Sequence, residues 1–165
     1  MGYGLGSEAN DVSLRDFGQL ADVFYLGGTK CGALFGEAVV LLADSLKHRF
    51  KTYMKQNGAV LAKGWLLGLQ FYALLENGEY FKITARADKL AMRLKEAFAE
   101  KGIPSAVDSP TNQQFVILPN EDMARIREHA AIEYWEKYDD THTVVRFCTS
   151  WATTQEDIDA LAAVL

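Results

Sequence analysis

Asp22-Val-Phe-Tyr-Leu-Gly-Gly-Thr-Lys-Cys-Gly-Ala-Leu-Phe-Gly36 is the stretch on which the reading of the whole chain depends. An apolar run, Val23 to Leu26, meets a Gly27-Gly28 break that presents Thr29 and Lys30. Small residues follow at Gly32, Ala33 and Gly36, and then a second apolar run from Ala38 to Ala43. Two strand-forming runs joined by a glycine-rich loop predict a hairpin-like unit with one lysine at its bend.

Glycine and apolar neighbours predict that this lysine is short of water. Burying its charge is costly and favours the neutral amine. A neutral amine is a nucleophile, able to form a Schiff base with an aldehyde such as that of pyridoxal phosphate. By itself the Gly-Gly-Thr-Lys motif is short and degenerate, and a solvated loop lysine is its commoner meaning.

Upstream, Gly2 to Val12 is rich in Gly, Asn and Asp and reads as a loop. Ser13 is placed to cap a short helix through Ala21, with Asp16 at the capping-box position. Downstream, Glu37 to Ala43 has the near-continuous apolar character of a buried strand. Asp44 to Gln56 reads as one helix with a basic polar face, stopped by Asn57-Gly58.

Ala59 to Leu75 is apolar on all sides, the pattern of a buried helix. Tyr80 to Lys101 is a long amphipathic helix with an ordinary solvated charged face. Short strands follow: Ser105 to Asp108, Gln114 to Leu118, Ile132 to Tyr138 and Thr143 to Cys148. Asn120 is expected to cap a helix through Ala130, and Thr153, with Glu156, a last helix. The final unit reads as a small α+β domain with an antiparallel sheet. The chain divides into residues 1–57 and 58–165.

The 165 residues are 49% hydrophobic and 24% charged, ordinary for a soluble globular chain. A net charge of -5 argues against a nucleic-acid or anionic-membrane binder. No apolar run approaches the roughly 20 residues needed to span a bilayer, and no signal peptide is visible. Cys31 and Cys148 are too few for a disulfide scaffold and lack metal-site spacing, so they are expected to be small buried residues, and no metal is expected.

A second residue stands out. Arg146 lies in the apolar segment Val144-Val-Arg-Phe-Cys-Thr-Ser-Trp151, where a buried guanidinium needs an anionic partner. Its planar fork matches a carboxylate. A substrate carboxylate and a nearby Asp or Glu side chain serve equally well on this ground.

The segment from Gly2 to Ala43 resembles pyridoxal-phosphate enzymes of the threonine aldolase and β-eliminating lyase family. Their Asp-x-x-Tyr-x-Gly-Gly-Thr-Lys-x-Gly-Ala-Leu-Phe-Gly-Glu block matches Asp22 to Glu37. The similarity extends to Met54-Lys55-Gln56 and to Val145–Trp151. Family members are longer, and the chain matches their back half. Their Asp-Gly-Ala-Arg segment would lie immediately before Met1.

The resemblance implies an α/β chain, the C-terminal part of a fold-type I transferase-like fold. It would hold the end of the large-domain sheet, long helices and a small α+β domain. It implies that Lys30 carries the cofactor, with Thr29 and Lys55 near it, and that Arg146 binds the carboxylate of a small amino-acid substrate. Asn112 is a weaker candidate for the substrate side. The implied reaction is cleavage of a β-hydroxy amino acid such as threonine to glycine and an aldehyde; β-elimination and transamination are the alternatives. A cytoplasmic homo-oligomer, dimer or tetramer, is implied for the full-length protein. The ring-nitrogen acid, stacking group and phosphate cradle would come from the front half. The chain alone is therefore expected to be poorly active, or a purely structural piece, and to expose apolar surface.

Overall fold

The computed structural model describes residues 1–165 as eight helices and six strands. In chain order these are α1 (Gly2–Gly6), α2 (Leu14–Leu20), β1 (Val23–Gly27), β2 (Glu37–Leu41), α3 (Asp44–Lys47), α4 (Phe50–Gln56), α5 (Trp65–Glu76) and α6 (Glu79–Glu100). Then come β3 (Ser105–Val107), β4 (Gln113–Pro119), α7 (Asp122–Arg127), β5 (Glu133–Lys137), β6 (His142–Cys148) and α8 (Gln155–Ala162).

The long helix α6 is the spine. Its apolar stripe is buried at Tyr80, Ala87, Leu90, Ala91, Leu94 and Phe98, one face of a helical repeat. The C-terminal half of that stripe packs on an antiparallel sheet of order β3-β4-β6-β5. Val116 and Leu118 of β4 and Val145 and Phe147 of β6 point toward the helix, alternating with outward residues. Ile126 of α7 and Ile158 and Leu161 of α8 close the core, and Phe98 meets Phe147 with ring centroids 5.0 Å apart. This is the expected small α+β unit.

The N-terminal half of α6 receives α1 instead. The Gly-rich start read as a loop is a short helix lying on α6. Its glycines serve contact: a Cβ on Gly6 would meet the Ala85 backbone nitrogen at 2.6 Å and the Thr84 hydroxyl at 2.4 Å. Composition marked these glycines as loop formers, whereas they remove side chains where two backbones approach.

β1 and β2 pair antiparallel, with Leu26 opposite Ala38 and Gly27 opposite Glu37, which is the expected hairpin-like unit. The expected burial of β2 is not found. Tyr25 and its partner Val39 are 62% and 52% exposed. This sheet has only two strands, too few to cover its own faces.

Three further expectations give way. The single helix over Asp44–Gln56 is broken between α3 and α4, where Arg49 adopts a left-handed φ of 56°. No Gly or Pro marks that break in the sequence. The helix expected from Ala59 begins only at Trp65, and of α5 only Phe71 is buried; Trp65 and Tyr72 are 65% and 60% exposed. An all-apolar segment predicts burial on every side, but α6 covers only one side of it. Two caps also move. Asn120 does not cap α7; it accepts from Thr143 Oγ1 at 2.7 Å and donates to the Asp140 carbonyl. Thr154, with Asp157, caps α8, while Thr153 Oγ1 accepts from the Ser150 backbone N–H at 2.9 Å. The Ser13–Asp16 capping box of α2 forms as expected. No helix is long and apolar enough to cross a membrane.

Candidate functional site

The turn after β1 is built by its neighbours. Tyr80 of α6 donates its hydroxyl to the Gly27 carbonyl at 3.0 Å, fixing the end of the strand. The Gly28 carbonyl then accepts from both Cys31 and Ala33 backbone N–H groups, at 2.9 and 3.0 Å. A Cβ at Gly28 would strike Phe71 and Ala33, each at 2.8 Å, and Gly32 turns the chain at φ +101°. A tight, glycine-dependent bend is what the sequence predicted.

The burial of its lysine is a correction. Cys31 and Ala33 take the inward positions, and Thr29 and Lys30 are left exposed. The glycine lining tightens the backbone and encloses Cys31, not the amine. The expectation that the turn keeps water from Lys30 therefore does not hold for the chain by itself. The Lys30 backbone is held all the same, since Tyr3 of α1 donates its hydroxyl to the Lys30 carbonyl. Burial pushes the Tyr3 hydroxyl up to about 12, with the Cys31 thiolate and the Asp88 charge adding to it and the Trp151 backbone N–H opposing it. Tyr3 thus stands between the lysine turn and the segment after β6.

Cys148 is the last residue of β6. It is exposed, not buried as expected. Its packing still pushes the thiol up, and the charges of Arg146 and Lys30 pull it back down.

Arg146 lies on the sheet face away from α6. Register places it opposite Phe115 of β4 and Glu133 of β5. Its Nη2 makes an ion pair with Glu133, and its Nη1 donates to Gln113 Oε1 at 2.9 Å. The guanidinium carbon stands 5.3 Å from the centre of the Trp135 ring, within cation–π range. Trp135 is itself braced edge-on by Phe115, centroids 4.9 Å apart. Glu133 makes the guanidinium still harder to deprotonate. The Nε–H is buried and has no partner. Of the two partners the sequence allowed, the chain by itself supplies the side-chain carboxylate.

Lys55 is exposed on α4 and makes no side-chain hydrogen bond or ion pair, so nothing in the chain draws it to Lys30. Asn112 is buried, and its side-chain amide donates to the Thr149 carbonyl at 2.8 Å while its backbone carbonyl accepts from the Thr149 N–H. It ties β4 to β6 rather than facing a ligand.

Sequence reasoning missed Tyr3, Gln113, Glu133, Trp135 and Asp88. Glu133 and Trp135 sat in a segment already read as a strand, but only register brings them to Arg146. Tyr3 was lost with the helix it belongs to. Asp88 looked like part of the charged face of α6, yet it is 4% exposed and neither carboxylate oxygen has a hydrogen-bond partner. Burial pushes its pKa up to about 7.

No family model matches the chain. A curated low specificity L-threonine aldolase from Pseudomonas sp. (strain NCIMB 10558) is 28% identical over 144 residues, which are 86% of this chain and 40% of that one. A solved structure of Leishmania major threonine aldolase matches 99% of this chain with a TM-score of 0.95 and 39% identity, over 48% of its own length. The chain thus resembles threonine aldolases along nearly all of its length, has the α/β fold of part of one, and spans less than half the length of either relative.

Proposed function

We propose that this chain is the C-terminal part of a pyridoxal-phosphate-dependent lyase of the threonine aldolase kind. The complete protein would cleave a β-hydroxy amino acid such as threonine to glycine and an aldehyde. The observation that carries this reading is the likeness along 99% of the chain, at 39% identity and a TM-score of 0.95, to Leishmania threonine aldolase, with Lys30 exposed on the turn built around Gly28 and Gly32. Lys30 is an accessible amine, and Arg146 a guanidinium that fits a carboxylate.

The residues present fit the cofactor in part. Lys30 would hold it through Nζ, with the exposed Thr29 hydroxyl adjacent. Lys55 could join only from a neighbouring chain or after rearrangement, because its own helix leaves it in solvent. The ring-nitrogen acid, stacking group and phosphate cradle that the cofactor also needs have no counterpart in the segments described. When bound, the cofactor supplies an electron sink for the bond broken at the substrate Cα. Arg146 binds the substrate carboxylate and sets its orientation. Lys30 Nζ would carry a proton at that centre. Further polypeptide has to exclude water around an amine that this chain leaves open.

The same reading makes residues 1–57 the end of a cofactor-binding domain and 58–165 a small domain, divided at the Asn57-Gly58 turn. It also makes the complete protein a cytoplasmic homo-oligomer. A second reading, that this chain acts only when packed as a structural piece, is favoured by the exposed apolar side chains of α5 and of the β1–β2 ribbon. Borohydride reduction of the complete protein mixed with pyridoxal phosphate separates the two. Label on Lys30, with a visible absorbance band before reduction, is the expected result. Label recovered at other lysines only, or no band, would sink the lysine assignment.

A further inference from the structure

Arg146 carries three kinds of contact and one deficit. Gln113 accepts from Nη1 at 2.9 Å, Trp135 lies against the guanidinium at 5.3 Å, and Glu133 pairs with Nη2. The Nε–H, on the edge of the fork that it shares with Nη2, is buried and bonded to nothing. Arginine recognises a carboxylate best by two parallel N–H···O bonds from one edge. Glu133 satisfies only half of such an edge.

A buried donor left unpaired is costly, so natural folds seldom keep one without a reason. Glu133 itself is 63% exposed in its side chain, on the outermost strand of the sheet. An ion pair with so open a partner contributes little and breaks easily. Gln113 and Trp135 do not compete for the Nε–Nη2 edge. They hold the guanidinium plane from its other end and from its face.

We propose that Glu133 is a built-in stand-in for a ligand carboxylate on Arg146. An incoming carboxylate displaces it and takes both Nη2–H and the orphan Nε–H, while Gln113 and Trp135 act as positioning residues. This rests on the reading that Arg146 receives the carboxylate of an amino-acid substrate. It adds that the chain fills that place itself until the substrate arrives, and that Glu133 weakens binding by competing for the same donors.

The test is made on the full chain labelled with ¹⁵N at arginine, with acetate as the probe and ionic strength held constant with chloride. The Arg146 Nε–H signal, identified by its loss in Arg146→Lys, should shift saturably as acetate is added. Glu133→Gln should lower the acetate Kd roughly two- to fivefold, the range expected on removing an exposed competing charge. Because Glu133 is exposed on an edge strand, Glu133→Ser provides a second variant with the same expected direction. A merely structural Glu133 gives the opposite sign, since its removal would loosen Arg146 and weaken acetate binding. An unmoved Nε–H signal in the wild-type chain, or an unchanged or weaker Kd in both Glu133 variants, overturns the proposal. Normal acetate binding without borohydride label on Lys30 retains this inference and overturns the lysine assignment. Label on Lys30 with no acetate response does the reverse.

Discussion

Replacing Asp88 by Asn should make the chain more stable above neutral pH and abolish most of the pH dependence of stability between pH 5 and 7.5. The Asp88 carboxyl is buried on α6 among Gly6, Ser7 and Pro110, with both oxygens unpartnered, and its pKa rises from 3.8 to about 7 on folding. A raised carboxyl pKa means that the fold accommodates the protonated form. Below pH 3.8 both states hold the proton and nothing is lost. Between there and about 7 the unfolded chain gives up its proton while the folded chain keeps it, so stability falls as pH rises. Above 7 both are ionised and the loss is constant.

At about 1.4 kcal/mol per tenfold step, the full difference corresponds to an upper bound of about 4 kcal/mol. Relaxation of the surroundings and water entry reduce this to about 2 kcal/mol. Asn keeps the shape and cannot ionise. Its expected gain at pH 8 is therefore about 2 kcal/mol, a rise of about 4–8 °C in Tm for a domain of this size. At pH 4.5 most of that gain is gone. Urea unfolding followed by tryptophan fluorescence at both pH values measures it. If Asp88→Asn falls in stability from pH 5 to 7.5 as steeply as the wild type, or gains nothing at pH 8, the carboxyl is not the titrating group and the argument fails.

Two further outcomes follow from the packing. Gly6→Ala should cost about 1–3 kcal/mol in urea melts, because its Cβ would meet the Ala85 backbone nitrogen at 2.6 Å and α1 would have to move off α6; a neutral effect would show that α1 is not seated there. Thr154→Ala should cost about 1 kcal/mol through loss of the α8 capping box, and Thr153→Ala less, since it gives up a bond to Ser150 in the loop rather than the helix cap; the reverse order would return the cap to Thr153.

Much of the architecture was legible from local chemistry. Alternation at Gln113–Pro119 and the apolar stripe on α6 gave the small α+β unit, because a period of two or of 3.6 residues fixes which side chains face inward. The glycine-lined bend was equally plain, since Gly28 and Gly32 stand where a side chain would clash or the backbone turns left-handed. The cap of α8 was off by one residue because Thr153 and Thr154 offer the same hydroxyl.

The sequence by itself determined the hairpin, the lysine at its bend, the long helix, the antiparallel sheet and the presence of an arginine needing an anion. Only the tertiary structure decided what each of those groups faces. Asp88 became a buried carboxyl among Gly6, Ser7 and Pro110, which only the packed fold brings beside α6, and Arg146 found Glu133 and Trp135 because the register of β5 against β6 brought them to its side. The exposure of Lys30 was decided the same way, by Cys31 and Ala33 taking the inner positions of the turn. Periodicity specifies the face on which a side chain lies. Which partner waits on that face depends on contacts between residues distant in sequence, and no local pattern encodes them.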